Sequence, residues 1–479
     1  MKRRQFLLQA AAAAAVAATL KGANAIAATP AGPAPAPDAA LPSGRRISLD
    51  EMGVPAGSDR LCTPQLQQAI DLCHARGGGT VVIPAGVFTT GTIRLRGSVC
   101  LQLETGAVLR GSADLADYPA QPTPAYRSLK DSSPFRALIY AEGERDIAVV
   151  GRGTIDGQGA KFAYGRTDLD GRPRLIQFVS CQDVRVEGLR LRNSALWMQH
   201  YLNCDRVRLH GLDVWNHSNH NNDMMDIDGC RQVTVSDCIG DTDDDGITLK
   251  STGPAPCEHV VISNCVVSSR CNAIKCGTES TGGFRNIAIA NCVIKPSAVK
   301  EGISGNPEGI SGLSLEVVDG GSLDGVVISN VAIEGTLVPI FVRLGNRGRK
   351  HRPDAATPPV GELKNVRIAN VVVRGAGAIG SSLTGLPGHP LENITLQGVR
   401  VELATPGQAA DVQKAVPERA DSYPEGKMWG HLPAYGFFIR HASRVRFIDV
   451  SVQPADTEPR PCFVTADIVD GFGLEAPAR

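Results

Sequence analysis

The chain has 479 residues, 42% of them hydrophobic and only 5% aromatic, with 52 glycines and many short Val/Ile runs, a composition that favours a turn-rich β protein over a helical one. Its 49 lysines and arginines balance 49 aspartates and glutamates. That balance excludes the global charge excess of a nucleic-acid or anionic-membrane binder, so a charged partner must be met by a local site.

Residues 1–28 combine Lys2-Arg3-Arg4, an apolar stretch from Phe6 to Leu20 and a small-residue site at Ala23-Asn24-Ala25, the layout of an export signal. Arg3-Arg4 followed by Gln5-Phe6-Leu7 resembles the bacterial twin-arginine signal, which implies export of a folded protein to the periplasm or the medium. The apolar stretch falls short of the ~20 residues a bilayer span needs, and no later segment is longer, so no membrane anchor is expected. Residues 29–44 read as a disordered Ala/Pro-rich linker, leaving 45–479 as one folded domain. Within it, Thr63 to Arg76 is an amphipathic helix with Leu66, Ile70 and Cys73 on one stripe, followed by GGGTVVIPAGVF. Such a helix suits the open end of a solenoid, where inner apolar rows would otherwise meet water.

From Ser180 onward one pattern recurs nine times: a polar turn, alternating apolar residues, a small or polar pair, and a second short apolar run. The alternating pairs include Val184/Val186, Val207/Leu209, Val233/Val235, Val260/Ile262 and Ile287/Ile289. Equivalent positions at 181, 204, 230, 257 and 284 are 23, 26, 27 and 27 residues apart. That period, with two or three short strands per repeat, predicts a solenoid, an all-β right-handed parallel β-helix whose coils share one core. Later steps of 39 and 40 residues imply loops inserted on one face, where they would wall a cleft. Residues 458–479 lack the pattern, and the sequence assigns them no role.

Thirteen cysteines in an exported chain would ordinarily suggest disulfides. Here Cys181, Cys204, Cys230 and Cys257 share one repeat position, and Cys238, Cys265 and Cys292 share another. In-phase cysteines on successive coils are expected to stack as small apolar side chains inside the core. A metal site is not expected, because no Cys pair stands at ligand spacing to a histidine.

The chemistry concentrates between Asn221 and Lys250. Asp223 lies 21 residues before Asp244-Asp245, close to one coil, so the three carboxylates are expected on neighbouring coils at one patch. Packing carboxylates together raises the proton affinity of at least one, placing a proton donor beside ionised bases. Glycoside hydrolysis requires that combination. Asp226 and Asp228 alternate with Ile227 and read as turn or supporting groups, and Asp241 and Asp243 as turn residues.

The order of N-terminal helix, GGGTVVIPAG, GTIDGQG (153–159), Asn221-Asn222-Asp223 and Asp243-Asp244-Asp245-Gly-Ile resembles glycoside hydrolase family 28, the polygalacturonases. The resemblance runs from about Arg45 past Arg343. It implies a pectin-cleaving β-helix that acts with inversion and without cofactor, Asp244 being the general acid and Asp223 and Asp245 the carboxylates that activate water. It also implies substrate contacts from Asn221, Asn272, Lys275, Arg343 and Lys250. The family's Gly-His-Gly segment falls on Arg270 to Lys275, with Asn272 in the histidine's place, and its Arg-Ile-Lys segment falls on Phe341-Val342-Arg343. His217 and His220 are candidates to replace the histidine, against plain surface exposure. Lys275, Arg343 and Lys250 could meet a uronate carboxylate.

The expected partner is therefore an acidic plant-type polysaccharide or oligosaccharide, bound by a monomer with no metal. Two alternatives stay open: a polysaccharide lyase on the same architecture, which would use calcium and a basic residue, and a non-catalytic carbohydrate-binding β-helix. Binding modules present aromatic platforms, and this chain has three tryptophans, Trp197, Trp215 and Trp429. Trp197 and Trp215 could flank the cleft, with core or edge packing as the plainer use. Endo versus exo attack is not readable, although loops after Lys295 could close one end of the cleft.

Overall fold

A computed structural model describes residues 46–57, 60–122, 135–164 and 171–475. The expected export signal and linker lie outside the described residues. Among those described, 32 strands form one continuous parallel sheet that coils as a right-handed β-helix. No described helix is long and apolar enough to cross a membrane.

The repeat produces this coil because each inner apolar side chain stacks on its counterpart one turn away. One row runs Ile147, Val184, Val207, Val233, Val260, Ile287, Val326, Val366, Ile394 and Val445, each in register with the next. All ten are buried. The polar pair that splits each repeat turns the corner. Asn264, Asn291, Asn330 and Asn370 adopt left-handed backbone at φ near 55°, a conformation asparagine tolerates better than most residues. Their side chains also stack, Asn330 donating to Asn291 and Asn370 to Asn330, each at 3.1 Å.

The helix Thr63–Ala75 buries Leu66, Ala69, Ile70 and Cys73 against the first coils. All thirteen cysteines are free thiols, ten of them buried, and Cys181, Cys204, Cys230 and Cys257 lie in the core as the repeat predicts. The stretch after Glu458, unreadable in sequence, contributes Phe463–Asp470 and Gly473–Glu475, which continue the sheet beside Phe437–Gln453. Within it, Glu458 and Arg460 form an ion pair at 2.8 Å whose side chains are almost fully buried.

Three insertions interrupt the later coils: 296–310, 345–361 and 404–436. The first is anchored by residues read from sequence as turn aspartates. Asp241 accepts from Ser297 Oγ and Ala298 N, and Asp243 accepts from Ile303 N and Ser304 N. His217 sits between these two carboxylates, at 3.0 and 3.2 Å. Burial alone would lower the affinity of His217 for a proton, but Asp241 and Asp243 outweigh it and raise its pKa. His217 is therefore an internal clip and does not replace the family histidine.

Candidate active site

Backbone hydrogen bonds tie three successive coils at the acid cluster. Met224 N donates to Asp245 O at 2.9 Å, Asp244 N to Asn222 O at 3.3 Å, and Gly246 N to Asn272 O at 2.8 Å. The 21-residue offset is thus one coil, with 223 stacked on 244–245 and those on 272. Gly246 is required by this stacking, since a Cβ there would collide with the carbonyl of Ala273. The turn before Asp223 is held by Asn222, whose Oδ1 accepts from Ser218 N and Asn219 N and whose Nδ2 donates to Ser194 O and Leu196 O.

Asp223, Asp244 and Asp245 each bring a carboxylate oxygen within 4.8 Å of the others. Their surroundings differ. Asp223 is buried and one of its oxygens has no hydrogen-bond partner; burial, then the charges of Asp226 and Asp244, push its pKa well up. Asp244 is partly exposed and is raised to about 6 by desolvation and by Asp245, against the pull of Lys275 and Lys250. Burial also pushes Asp245 upward, but Lys275, Lys250 and Asn272 overcome it and hold this carboxyl below the usual range. Asp245 Oδ1 accepts from Asn272 N at 3.1 Å and Asn272 Nδ2 at 2.7 Å, and its Oδ2 accepts from Lys275 Nζ at 3.0 Å. The trio therefore contains one fixed carboxylate and two groups that hold protons readily. For Asp223 this departs from the ionised state the resemblance implies; the cause is first its burial and then the neighbouring carboxylates of Asp226 and Asp244.

Asp226 is more than a turn residue. It lies on the outward row of the sheet in register with Thr248 and, one coil on, Lys275. It is fully buried, and desolvation raises it to about 7 against the attraction of Lys250. Lys250 Nζ stands 3.4 Å from Asp226 and 3.6 Å from Glu279, and 4.9 Å from the ring centre of Trp197. Asp228 instead accepts from Thr252 N and Oγ1. Lys275 is likewise shared, with Asp245 at 3.0 Å and Glu316 at 3.8 Å. Glu316 has no solvent exposure and is raised to about 7 by burial, with Lys275 opposing.

The remaining expected contacts divide. Asn221, at φ 55°, borders the trio and accepts from Arg172 at 3.2 Å. Asn272 and Lys275 serve Asp245, as above. Arg343 requires correction: its guanidinium is 1% exposed and donates to Thr384 Oγ1, Gly385 O, Glu418 O and Arg419 O, over the ring of Trp429 at 5.3 Å. The insertion 404–436 covers this part of the coil, so Arg343 pins that insertion and is not a surface cation. His220 stacks on Tyr164, ring centres 3.9 Å apart. Trp197 is bracketed by Arg174 and Lys250, and Trp215 lies 4.7 Å from His217.

Glu279, Glu316, Arg347 and Tyr423 were not singled out by the sequence. The two glutamates lie on strands whose repeat phase places them on the outward face beside Lys250 and Lys275, a usable signal. Arg347 and Tyr423 come from insertions without periodicity.

Comparison with known proteins agrees with this fold. The chain is 29% identical over 216 residues to a probable polygalacturonase of Vitis vinifera, covering 43% of this chain and 44% of that protein. It is 33% identical over 159 residues to the exo-poly-alpha-D-galacturonosidase of Dickeya chrysanthemi, covering 31% of this chain and 25% of that protein. The chain thus spans less than half the length of either relative. Two solved structures share the fold: an exopolygalacturonase of Thermotoga maritima, with TM-score 0.66, 19% identity and coverage of 85% of this chain and 92% of that one, and the family 28 exopolygalacturonase of Yersinia enterocolitica, with TM-score 0.68, 18% identity and coverage of 91% and 79%. The sequence profile of Glycosyl hydrolases family 28 matches residues 73–420, well over half of the chain, and with the acid trio on adjacent coils of a parallel β-helix this protein belongs to that family.

Proposed function

We propose that the chain hydrolyses α-galacturonosyl linkages of pectic polysaccharides or oligosaccharides, rhamnogalacturonan-type linkages included, by single displacement with inversion, outside the cytoplasm. The observation that carries this reading is the division of labour within the trio. Asp244, partly exposed and raised to about 6, donates the proton to the leaving oxygen. Asp245, held ionised, takes the proton of the attacking water. Asp223 offers its unpartnered buried oxygen to orient that water.

Spacing by itself favours a second reading. Inverting pairs usually stand about 6.5–9.5 Å apart to admit water, whereas about 5 Å is usual for a carboxylate that attacks the sugar directly. One oxygen from each carboxylate of the trio lies within 4.8 Å of the others, nearer the shorter range. The hydrogen bonds of Asp245 argue against direct attack. Both of its oxygens are engaged, one by Asn272 and one by Lys275, so forming a glycosyl ester would break a buried ion pair. Proton transfer from water leaves those contacts in place.

The test is a product screen on polygalacturonate, rhamnogalacturonan and their oligomers. Reducing-end release without unsaturated-uronate absorbance supports hydrolysis, and absorbing products that vanish on chelation support the lyase. Sugar binding without any turnover would identify a non-catalytic β-helix.

A further inference from the structure

Asp244 and Asp245 stand on a turn between the strands Ile239–Thr242 and Ile247–Ser251. The backbone bond that ties Asp244 to the preceding coil, from its N to Asn222 O, is long at 3.3 Å, so the aim of its side chain depends on how its neighbours are seated. Asp245, on one side, is held by Asn272 and Lys275. Asp243, on the other, is held by a different set of groups. Its Oδ1 lies 3.2 Å from His217 Nδ1 and 3.2 Å from Arg270 Nε, and its Oδ2 accepts from Ser304 N at 3.1 Å. The carbonyl of Asp244 accepts from Ser269 Oγ at 2.7 Å and Thr242 Oγ1 at 3.0 Å, and its Oδ1 accepts from Asp245 N at 2.9 Å.

The contacts of His217 define its charge. Nε2 lies 3.0 Å from Asp241 Oδ1 while Nδ1 faces Asp243 Oδ1. A neutral imidazole carries one N–H and one lone pair, and that lone pair would point at a carboxylate; the imidazolium donates to both. With Arg270, the cluster therefore pairs two cations with two anions, and none of the four side chains is more than 11% exposed. The same groups grip the insertion 296–310. Asp241 accepts from Ser297 and Ala298, and Arg270 donates to the carbonyls of Ser304, Val299 and Lys300 at 2.8, 2.7 and 3.1 Å. The insertion lies flush on the cluster at Gly302, where a Cβ would fall 2.2 Å from Asp243 Oδ1 and 2.3 Å from Arg270 Nε.

We propose that His217 and Arg270 are positioning residues for the proton donor: by pairing with Asp243 they hold the turn 242–245 where Asp244 reaches the leaving oxygen, with the insertion 296–310 packed behind it. The proposal rests on the hydrolase reading above for the role of Asp244. Neither residue touches substrate in this account; each acts through Asp243. Without the imidazolium, two buried carboxylates face the one remaining cation, and the cost of the uncompensated charge is relieved by moving them apart. Asp243 cannot move without its neighbour Asp244. Proton donation needs heavy atoms about 2.6–3.2 Å apart, and a misplacement of about 1 Å costs about a hundredfold in rate. Asp245 is seated from the next coil by Asn272 and Lys275, so water activation is spared. The loss therefore falls on protonation of the leaving group.

The test compares two substrates that differ in their need for an acid: an α-linked galacturonate oligomer, whose leaving sugar must be protonated, and a 2,4-dinitrophenyl α-galacturonide, whose phenolate departs without a proton. Two variants of the full chain are used, each assayed well below its melting temperature. His217→Gln removes the charge, and Gly302→Ala lifts the insertion off Asp243 while leaving every charged group in place. Both are expected to lower kcat on the oligomer about ten- to a hundred-fold, with KM and the aryl kcat within about threefold of the unmodified protein. Equal losses on the two substrates, no loss on either, or a loss confined to KM would overturn the proposal. If the unmodified protein refuses the aryl substrate, the Asp244→Asn background decides on the oligomer. There, added His217→Gln costs less than about threefold if it acts through Asp244, and the full ten- to a hundred-fold if it does not. If the unmodified protein cleaves no galacturonate substrate, the hydrolase reading falls and the positioning role with it; full oligomer turnover in both variants rejects the positioning role alone.

Discussion

Replacing Lys275 by methionine isolates what holds the base ionised. The ammonium lies 3.0 Å from Asp245 Oδ2, and at an effective dielectric of about 20 that separation corresponds to roughly 5 kcal/mol, or about 4 pH units, of preference for the carboxylate. Lys250 and Asn272 remain in the variant, and water enters the space, so the expected rise in the Asp245 pKa is about 1–3 units. The sign follows from the direction of the natural shift. Asp245 is depressed in the folded protein, so the stability it contributes is present above its unfolded value and disappears as pH falls through its folded one. Lys275→Met therefore moves the acid limb of kcat/KM to higher pH. It also destabilises the protein at neutral pH, by about 3–5 kcal/mol at most for an orphaned buried charge, and much less in acid. The assay is a pH–rate profile on oligogalacturonate with thermal melts at matched pH. An acid limb displaced by less than about half a unit would refute the electrostatic account of Asp245.

Four further outcomes are expected. Asp244→Asn lowers kcat by about two to four orders of magnitude while oligogalacturonate affinity by calorimetry stays within a few-fold; retained turnover would remove Asp244 as the acid. Arg343→Ala frees the insertion 404–436 from its carbonyl anchors, so limited proteolysis is expected to cut there first and KM to rise, while the limbs of the kcat profile stay in place. Ile262→Ala opens a cavity in a fully buried inner row and is expected to cost about 2–5 kcal/mol, read as a lower melting temperature with unchanged pH limbs. Chelation is expected to leave activity intact, because Lys275, paired with Asp245, and the nearby charge of Lys250 already offset charge at the one carboxylate trio, among the described residues, with ligand-like spacing; restoration by added calcium would contradict this.

The coil is legible in the sequence because a shared core forces each inner Val or Ile onto a counterpart at nearly constant spacing, and the Asp223 to Asp244 offset then becomes a distance in space. In the same way the in-phase cysteines are readable as core thiols. Burial on the outward face is not readable from a period of two. Asp226 alternates with Ile227 as a solvent-facing residue would, yet it is covered and faces Lys250. Arg343 misleads for a related reason: two of its three carbonyl acceptors lie 75 and 76 residues further along the chain, in an insertion with no pattern to align. Tyr423, 148 residues from the lysine it touches, is hidden in the same way. Asp241 and Asp243 have the composition of turn residues, and what distinguishes them is the backbone of the insertion 296–310 that they hold.

The central claim is that water, activated by a carboxylate whose own oxygens are already engaged, displaces the leaving sugar directly. Proton NMR of the anomer released in the first minutes of hydrolysis of an α-linked galacturonate oligomer tests it most directly. The account predicts the β-anomer first, with the α-anomer growing only at the rate of mutarotation. Initial release of the α-anomer would show that a carboxylate attacks the sugar and would contradict it.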